Sequence, residues 1–343
     1  MTERTERDTE YGLSAEAQAW LEMLKANPQP PAPEPDDIEA WRALVAVTAA
    51  PELADAIGLA TTGAVATGVP VEVHTVDLPN AVVHVGTPEG LAPDDRRVLL
   101  SVHGGAFTVG GGAATRAATG FVAGAYGVTA WSVDYRMPPD HPFPAALDDC
   151  VDAYRALLES HDPASIAVGG VSAGGNLTAA LLLRLQEEGL PMPCAVVLNS
   201  PCADLTLSGD TLVNDASGDV AGLTNNLKLY TGDHDLKDPH LSPLFGRIGD
   251  DWPPTILFSG TRDFLLSDTV RMHRKLLAAG VRAELHVFEA APHGMFGGNA
   301  PEDRLLVAQA RQFLEAAWND GAVSGDLGGS GRRLPARPAS ARH

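Results

Sequence analysis

The residue best placed for covalent chemistry is Ser172, at the centre of a Gly-X-Ser-X-Gly sequence. An apolar run at 166–171 precedes it and predicts a buried strand, and a helical pattern follows at 173–188. A sharp strand-to-helix turn would lift the hydroxyl above the strand's carboxyl end, and Gly170 and Gly174 would let the backbone pass. We therefore predict a nucleophilic serine. The alternative is a glycine-rich turn that binds a phosphate or only reverses the chain.

A second glycine-rich loop follows the apolar run at 98–102 and reads His103-Gly104-Gly105-Ala106-Phe107. Acyl transfer develops negative charge on the former carbonyl oxygen, and backbone N–H groups aimed at that oxygen stabilise it. We predict two such donors at Gly105 and Ala106, and a third at Ala173, where the helix after the serine begins. The alternative is a structural glycine turn.

Among the histidines, His293 is placed best to act as a general base, because it follows the last predicted strand, at 285–288. His286 lies inside that strand and His273 lies in a predicted helix, so we interpret both as structural. His103 is predicted to fasten its own loop by hydrogen bonds rather than to accept a proton. The alternative for His293 is a solvated loop histidine.

The acid that orients the base should follow the preceding strand, predicted at 255–259. Asp263 stands there, 30 residues before His293, and its carboxylate could hold the imidazole in the reactive tautomer. Asp268 is a competing candidate at the same strand end. It is better explained as a residue at the start of the helix predicted over 267–279.

These residues need a framework, and strand-like and helix-like segments alternate through the middle of the chain. Alternation of this kind predicts a mainly parallel sheet with right-handed crossovers. The sheet is predicted to begin with an antiparallel hairpin whose turn is at Pro79-Asn80. Together with the later strands this gives about eight strands flanked by helices. Strands are predicted at 69–78, 81–85, 98–102, 128–135, 166–171, 195–199, 255–259 and 285–288, and helices at 114–126, 145–159, 173–188, 267–279 and 302–318.

The remaining segments differ from this alternating part. Residues 1–60 hold two short helical patterns joined by a Pro-rich acidic link, and 204–252 contain no clean strand. We predict that both fold over the sheet as a helical cap. The catalytic domain would then comprise 61–203 and 253–320. Residues 321–343 are rich in Gly, Pro and Arg and are predicted to be a disordered tail.

Composition excludes several classes of function. With 24 basic and 44 acidic residues, the net charge is −20, which argues against nucleic acid and against an anionic membrane surface. Three cysteines are too few for a disulfide framework and form no metal-binding pair. No run is long and apolar enough for a membrane span, and no signal peptide is evident. We therefore expect a cytoplasmic protein.

The motifs together resemble those of the bacterial hormone-sensitive-lipase-like (family IV) esterases, which are α/β-hydrolases. The resemblance implies an eight-stranded sheet, a cap built from the N-terminus and an insertion after the sixth strand, and hydrolysis of short- to medium-chain carboxylic esters. It implies no metal and no cofactor, and a homodimer is a possibility by analogy. The matching stretches are HGGAF at 103–107, YRMPPDHPFPAALDD at 135–149, GVSAGGNL at 170–177, SPCADLTLSG at 200–209, SGTRDFLLSD at 259–268 and PHGMFG at 292–297.

Three positions depart from the family pattern. Ala106 replaces a glycine and adds a Cβ near the acyl group, and Val171 replaces a polar residue before the serine. Asp263 is followed by Phe264 and Leu265 instead of Pro and Leu. None of these changes removes a residue of the predicted triad, but they bear on the choice of substrate.

The sequence therefore favours a serine carboxylesterase acting on a small-molecule ester, either short- to medium-chain or compact and cyclic. Two alternatives on the same triad are an amidase or formamidase and a lactone hydrolase. A non-catalytic ligand receptor on the same scaffold is a more remote alternative, because such receptors lose the base and His293 is present.

Overall fold

The computed structural model describes residues 12–27, 31–51, 68–213 and 220–327. Its strands are β1 (Val71–Asp77), β2 (Val82–Pro88), β3 (Val98–Val102), β4 (Thr129–Asp134), β5 (Ile166–Val171), β6 (Ala195–Asn199), β7 (Thr255–Gly260) and β8 (Ala283–Phe288). Its α-helices are α1 (Ala15–Ala26), α2 (Ile38–Ala49), α3 (Ala113–Tyr126), α4 (Ala145–Leu158), α5 (Ala173–Glu188), α6 (Val220–Thr231), α7 (Leu266–Ala278) and α8 (Pro301–Leu327).

The strands form one sheet in the order β1-β2-β4-β3-β5-β6-β7-β8. β2 runs antiparallel to both of its neighbours, and all other neighbouring pairs are parallel. The predicted eight-stranded, mostly parallel sheet with an antiparallel start is confirmed. Because β3, β5, β7 and β8 run in the same direction, their carboxyl ends lie at one edge of the sheet, where α/β folds place their sites.

Helices cover both faces of the sheet, as expected for strands that are apolar on both sides. One buried cluster joins α4, α5 and α7 to the sheet through Leu147, Leu177 and Leu276. The other joins α1 and α8 to the opposite face through Leu21 and Phe313. The sheet is thus a rigid platform that fixes the loops at its carboxyl edge.

The N-terminal helices pack against the body of the protein. Ser14 caps α1 by accepting a hydrogen bond from the Ala17 N–H. It also fastens α1 to α8, because its N–H and hydroxyl donate to Glu302 at 2.8 and 2.7 Å. Trp41 of α2 is fully buried and donates its indole N–H to the Glu34 carbonyl oxygen. Of the predicted 1–60 segment, residues 1–11, 28–30 and 52–60 lie outside the described residues.

The excursion between β6 and β7 contains helix α6 and, in its described residues, no strand. It contacts the N-terminal segment, since Asn225 donates to the Pro33 carbonyl oxygen at 3.1 Å. A 3₁₀ turn at Asp210–Val213 holds it to the loop after β7, where the Thr211 hydroxyl donates to the Phe264 carbonyl oxygen at 2.9 Å. The excursion therefore lies beside the loop that carries Asp263.

The last helix differs from its predicted extent. Helix α8 continues to Leu327, so residues 321–327 are helical and do not belong to the predicted tail. Extending an existing helix adds one hydrogen bond for each residue fixed, so Gly321 and the small residues after it can follow the packed turn at Trp318. Residues 328–343 lie outside the described residues. No helix in the described part of the chain has the length and apolar character needed to cross a membrane.

Candidate active site

Ser172 lies at the corner between β5 and α5, with φ 57° and ψ −118°. Residues other than glycine seldom adopt positive φ, so the surrounding structure must hold this corner in place. Its amide N–H donates to the Asn199 carbonyl oxygen at 2.9 Å. A Cβ added at Gly174 would lie 2.1 Å from the Val102 carbonyl oxygen, so only glycine fits there. A glycine is therefore needed at position 174 because the backbone of α5 approaches the backbone at the end of β3 closely.

The structure brings the predicted serine, histidine and aspartate together. Ser172 Oγ lies 2.9 Å from His293 Nε2, although 121 residues separate them. His293 Nδ1 lies 2.9 Å from Asp263 Oδ1 on the other side of the ring. With Asp263 ionised, Nδ1 carries the proton and Nε2 is left to accept one from the Ser172 hydroxyl.

Asp263 is fully buried, so its hydrogen bonds determine its charge state. The Ser259 hydroxyl donates to Oδ2 at 2.6 Å, and the Leu265 N–H donates to Oδ1 at 2.9 Å. Burial alone would raise the pKa of Asp263, but the hydrogen bond from His293 and its electrostatic attraction, helped by the Ser200 and Ser259 hydroxyls, hold the pKa below its usual value. An ionised carboxylate is therefore available beside the imidazole.

The loops that carry Asp263 and His293 are fastened directly to each other. The Arg262 N–H donates to the Ala291 carbonyl oxygen at 3.1 Å, and the Ala290 N–H donates to the Thr261 hydroxyl at 2.7 Å. A Cβ at Gly260 would lie 2.0 Å from the Ala291 carbonyl oxygen. These contacts fix the separation between the acid and the base.

Asp268, the competing acid, lies elsewhere. It is in the first turn of α7, buried, and it accepts a hydrogen bond from the Asp204 N–H at 3.0 Å. Its Oδ1 lies 3.7 Å from Arg271, which also pairs with Asp204 at 2.8 Å. Burial raises the pKa of Asp268 to about 7. The structure therefore brings Asp263, and not Asp268, to His293.

The loop after β3 has an unusual backbone. Gly105 has φ 109°, and Ala106 and Phe107 follow with φ 50° and 66°. Within the described ranges, no protein group accepts a hydrogen bond from the N–H of Gly105, Ala106 or Ala173. Donors left unpaired beside the Ser172 hydroxyl could bind the oxygen of a substrate carbonyl.

His103 contacts its own loop and Tyr135, whereas the hydrogen-bond partner of Ser172 Oγ is His293. Its ring stacks on Tyr135 with centroids 4.0 Å apart, and Nδ1 lies 2.7 Å from the Gly104 carbonyl oxygen. Burial lowers the pKa of His103, so the ring is neutral. The Tyr135 hydroxyl donates back to the His103 carbonyl oxygen at 3.2 Å. These contacts hold the His103 ring against its own loop, and its role in supporting the site stays a prediction.

The sequence reasoning missed Ser259 and Phe264. Ser259 is a buried hydroxyl at the end of β7, four residues before Asp263. A hydroxyl inside a predicted buried strand needs a hydrogen-bond partner, and this need was the available sign in the sequence that Ser259 has a role. Phe264 packs its ring 4.5 Å from the His293 ring.

As for metals, the described residues contain no group of three or more His, Cys, Asp or Glu arranged to hold an ion.

Known proteins share these features. Residues 99–297 match the family described as alpha/beta hydrolase fold. An esterase from Acinetobacter venetianus is 34% identical over 225 residues, which are 63% of this chain and 74% of that protein. An acetyl-hydrolase from Streptomyces hygroscopicus is 32% identical over 254 residues, 71% of this chain and 85% of that protein.

A solved structure extends the likeness to the whole fold. An esterase of the bacterial hormone-sensitive lipase family superposes with a TM-score of 0.72 at 28% identity, covering 89% of this chain and 99% of that chain. Its family is the one that the motifs at 103–107, 170–177 and 292–297 resemble. The chain therefore belongs to the α/β-hydrolase fold family, among the bacterial hormone-sensitive-lipase-like esterases.

Proposed function

We propose that this protein is a serine carboxylesterase that hydrolyses a small-molecule ester through an acyl-enzyme on Ser172. One observation carries the proposal, namely the chain of two 2.9 Å hydrogen bonds from Ser172 through His293 to Asp263. Esterase and acetyl-hydrolase relatives support the same reaction class.

Acylation begins when Ser172 Oγ attacks the ester carbonyl carbon and His293 Nε2 takes the hydroxyl proton. The carbonyl oxygen becomes an oxyanion held by the N–H groups of Gly105, Ala106 and Ala173. The intermediate collapses, the C–O bond to the alcohol breaks, and the departing alkoxide takes the proton from His293. The acyl group is left as an ester of Ser172.

Deacylation repeats these steps with water. His293 Nε2 takes a proton from the water as its oxygen attacks the acyl carbon, and the same three N–H groups hold the oxyanion. The bond to Ser172 Oγ then breaks, His293 returns the proton to that oxygen, and the carboxylic acid leaves. Asp263 stays ionised throughout and stabilises the imidazolium that forms twice in each cycle.

The proposed substrates have acyl chains of roughly two to six carbons or are compact cyclic esters. The Cβ of Ala106 narrows the space beside the acyl carbon. The segments of the proposed cap pack apolar rings against the loops around the site, since Tyr230 of α6 stacks on Phe107 and Trp20 of α1 packs on the backbone at Gly297. Met23 of α1, in contrast, is 38% exposed.

The proposal is tested by active-site titration with a p-nitrophenyl phosphonate. We expect release of one p-nitrophenol per chain, loss of esterase activity in the same proportion, and a phosphonyl adduct on the peptide containing Ser172. The control is Ser172→Ala, which should release no burst. Full activity after stoichiometric labelling, or an adduct on another residue, would contradict the mechanism. A parallel panel of esters, lactones and anilides distinguishes a carboxylesterase, a lactone hydrolase and an amidase by their relative kcat/KM values.

A further inference from the structure

The oxyanion loop, residues 103–109 after β3, carries the proposed donors Gly105 and Ala106 and has a strained backbone. Ala106 and Phe107 are consecutive residues with side chains, and both adopt left-handed φ values of 50° and 66°. Inside the loop, the N–H groups of Thr108 and Val109 both donate to the Gly105 carbonyl oxygen at 3.0 Å. Strained residues persist only where their surroundings over-determine them, so contacts from outside the loop must contribute.

Two of those contacts come from helix α6 of the excursion. The Phe107 ring is fully buried and stacks on the Tyr230 ring with centroids 4.0 Å apart and planes within 4° of parallel. The Thr108 hydroxyl donates to Asn226 Oδ1. Asn226 is fixed in turn, because its Nδ2 donates to the Gly222 carbonyl oxygen at 2.7 Å. Both contacts reach the residues that directly follow the donor at Ala106.

Tyr230 is itself held by Phe143, which lies in the loop between β4 and α4. The Phe143 N–H donates to the Tyr230 carbonyl oxygen at 2.9 Å, and the Phe143 ring meets the Tyr230 ring edge-on at 6.0 Å. The Tyr230 hydroxyl is buried and has no hydrogen-bond partner in the part of the chain that the structure describes. The ring, and not the hydroxyl, is therefore the part of Tyr230 that acts on the loop.

We propose that Tyr230 and Asn226 are positioning residues for the oxyanion hole, so that helix α6 sets the reactivity of Ser172 without touching the substrate's reacting atoms. The inference rests on the proposed esterase function. If the ring of Tyr230 is removed, Phe107 can move into the vacated space and the strained backbone can relax. The N–H of Ala106 then shifts away from the point where the oxyanion forms.

The test compares Tyr230→Phe with Tyr230→Leu on p-nitrophenyl acetate. We expect Tyr230→Phe to keep kcat within about twofold, because the stack is retained, and Tyr230→Leu to lower kcat by about 10- to 100-fold, the cost of a small misplacement or of one weakened donor. KM should change much less than kcat. The inhibition constant of phenylboronic acid, whose tetrahedral adduct puts an oxygen in the oxyanion hole, should rise by about the same factor.

Two further measurements separate positioning from general destabilisation. Leu157→Ala, a buried change on α4, should lower the melting temperature and leave kcat unchanged at the assay temperature. Asn226→Ala and Thr108→Ala should each lower kcat, and the double variant should be no worse than either single one, because both remove the same hydrogen bond. These variants also test the proposal if Tyr230→Leu does not fold.

The outcomes distinguish this inference from the proposed function. If the phosphonate labels Ser172 stoichiometrically but Tyr230→Leu, Asn226→Ala and Thr108→Ala all keep wild-type kcat and boronate affinity, the positioning role is wrong and the esterase mechanism stands. An increase in KM with kcat unchanged would equally overturn it, since that result means substrate binding and not the oxyanion hole. If the phosphonate does not label Ser172 in the wild-type protein, the proposed function itself is wrong.

Discussion

At the scale of single residues, the position of each polar group after a strand predicted the candidate site, with Asp263 and Asp268 both eligible as the acid. Ser172, Asp263 and His293 each follow an apolar run, and the structure joins them by two 2.9 Å hydrogen bonds. Ser259 could not be found in the same way, because its hydroxyl matters only through the Asp263 oxygen that it contacts at 2.6 Å. A residue such as Ser259, which contacts a candidate catalytic residue and not the substrate, is not marked by a sequence motif.

Asp263→Asn should lower kcat by about 10³- to 10⁴-fold, because an amide cannot hold the imidazole tautomer as a carboxylate does. Asp268→Asn should lower kcat by less than about tenfold, since its side chain bonds the Asp204 N–H instead of His293. Steady-state kinetics on p-nitrophenyl acetate, with both variants checked by circular dichroism, decide between them. A larger loss in Asp268→Asn would show that the acid has been assigned to the wrong residue.

Ala106→Gly should move the preferred acyl chain towards greater length, because it removes the Cβ beside the acyl carbon. Its effect on the free energy of unfolding should stay within about 1 kcal/mol, since relief of the left-handed strain at φ 50° offsets the greater backbone entropy of glycine. The measurement is kcat/KM across acyl chain lengths in variant and wild type, with urea denaturation for stability. An unchanged optimum would mean that this Cβ does not limit the pocket.

At the scale of elements, strands and helices with strong periodicity were predictable almost to the residue. The helix predicted at 173–188 is α5, and the strand predicted at 195–199 is β6. The excursion was less predictable, because α6 is held by contacts with distant segments such as Asn225 to Pro33. The end of α8 was misjudged because small residues follow a helix that packing has already nucleated.

The excursion also brings two carboxylates together, which gives stability a pH dependence. Asp204 is fully buried and ionised, since the Thr206 and Ser208 hydroxyls and Arg271 outweigh its burial and hold its pKa low. Asp268 beside it has a pKa of about 7, above the usual 3.8, so the folded protein holds that proton more tightly than the unfolded chain. The resulting stabilisation is complete below about pH 4 and is lost as pH rises to about 7.

Asp268→Asn should therefore remove this pH dependence while keeping an oxygen for the Asp204 N–H. Between pH 4.5 and 7.5, the free energy of unfolding of the wild type should fall relative to that of the variant by about 3 kcal/mol. Urea denaturation at several pH values measures the difference, with the exposed Asp250→Asn as the matched control. Parallel profiles for wild type and Asp268→Asn would contradict the assigned cause.

At the scale of the whole molecule, the alternation of strands and helices predicted a parallel sheet, and the sheet order follows from tertiary packing. That order, β3-β5-β6-β7-β8, gathers loops from residues 103, 172, 263 and 293 at one edge. Local patterns along the chain do not encode such an order, so the sequence predicted the type of sheet and not the order of its strands. A homodimer, a cytoplasmic location and the division into cap and catalytic domain stay predictions.

The proposed cap over the sheet edge implies a limit on substrate size. We expect kcat/KM to be greatest for acyl chains of two to six carbons, because burial gains about 25 cal/mol per Å² while a closed site adds strain for longer chains. A series of p-nitrophenyl esters from acetate to palmitate measures this. A maximum at ten carbons or more would contradict a small covered pocket.

The proposed covalent role of Ser172 is tested most directly by the kinetics of Ser172→Ala. The substitution keeps the small side chain at the strained corner, so the melting temperature and the circular dichroism spectrum should match those of the wild type. Hydrolysis of p-nitrophenyl acetate should fall below about 10⁻² of the wild-type rate, because loss of a nucleophile costs far more than loss of a supporting contact. A folded Ser172→Ala protein that retains more activity than this would contradict an acyl-enzyme on Ser172.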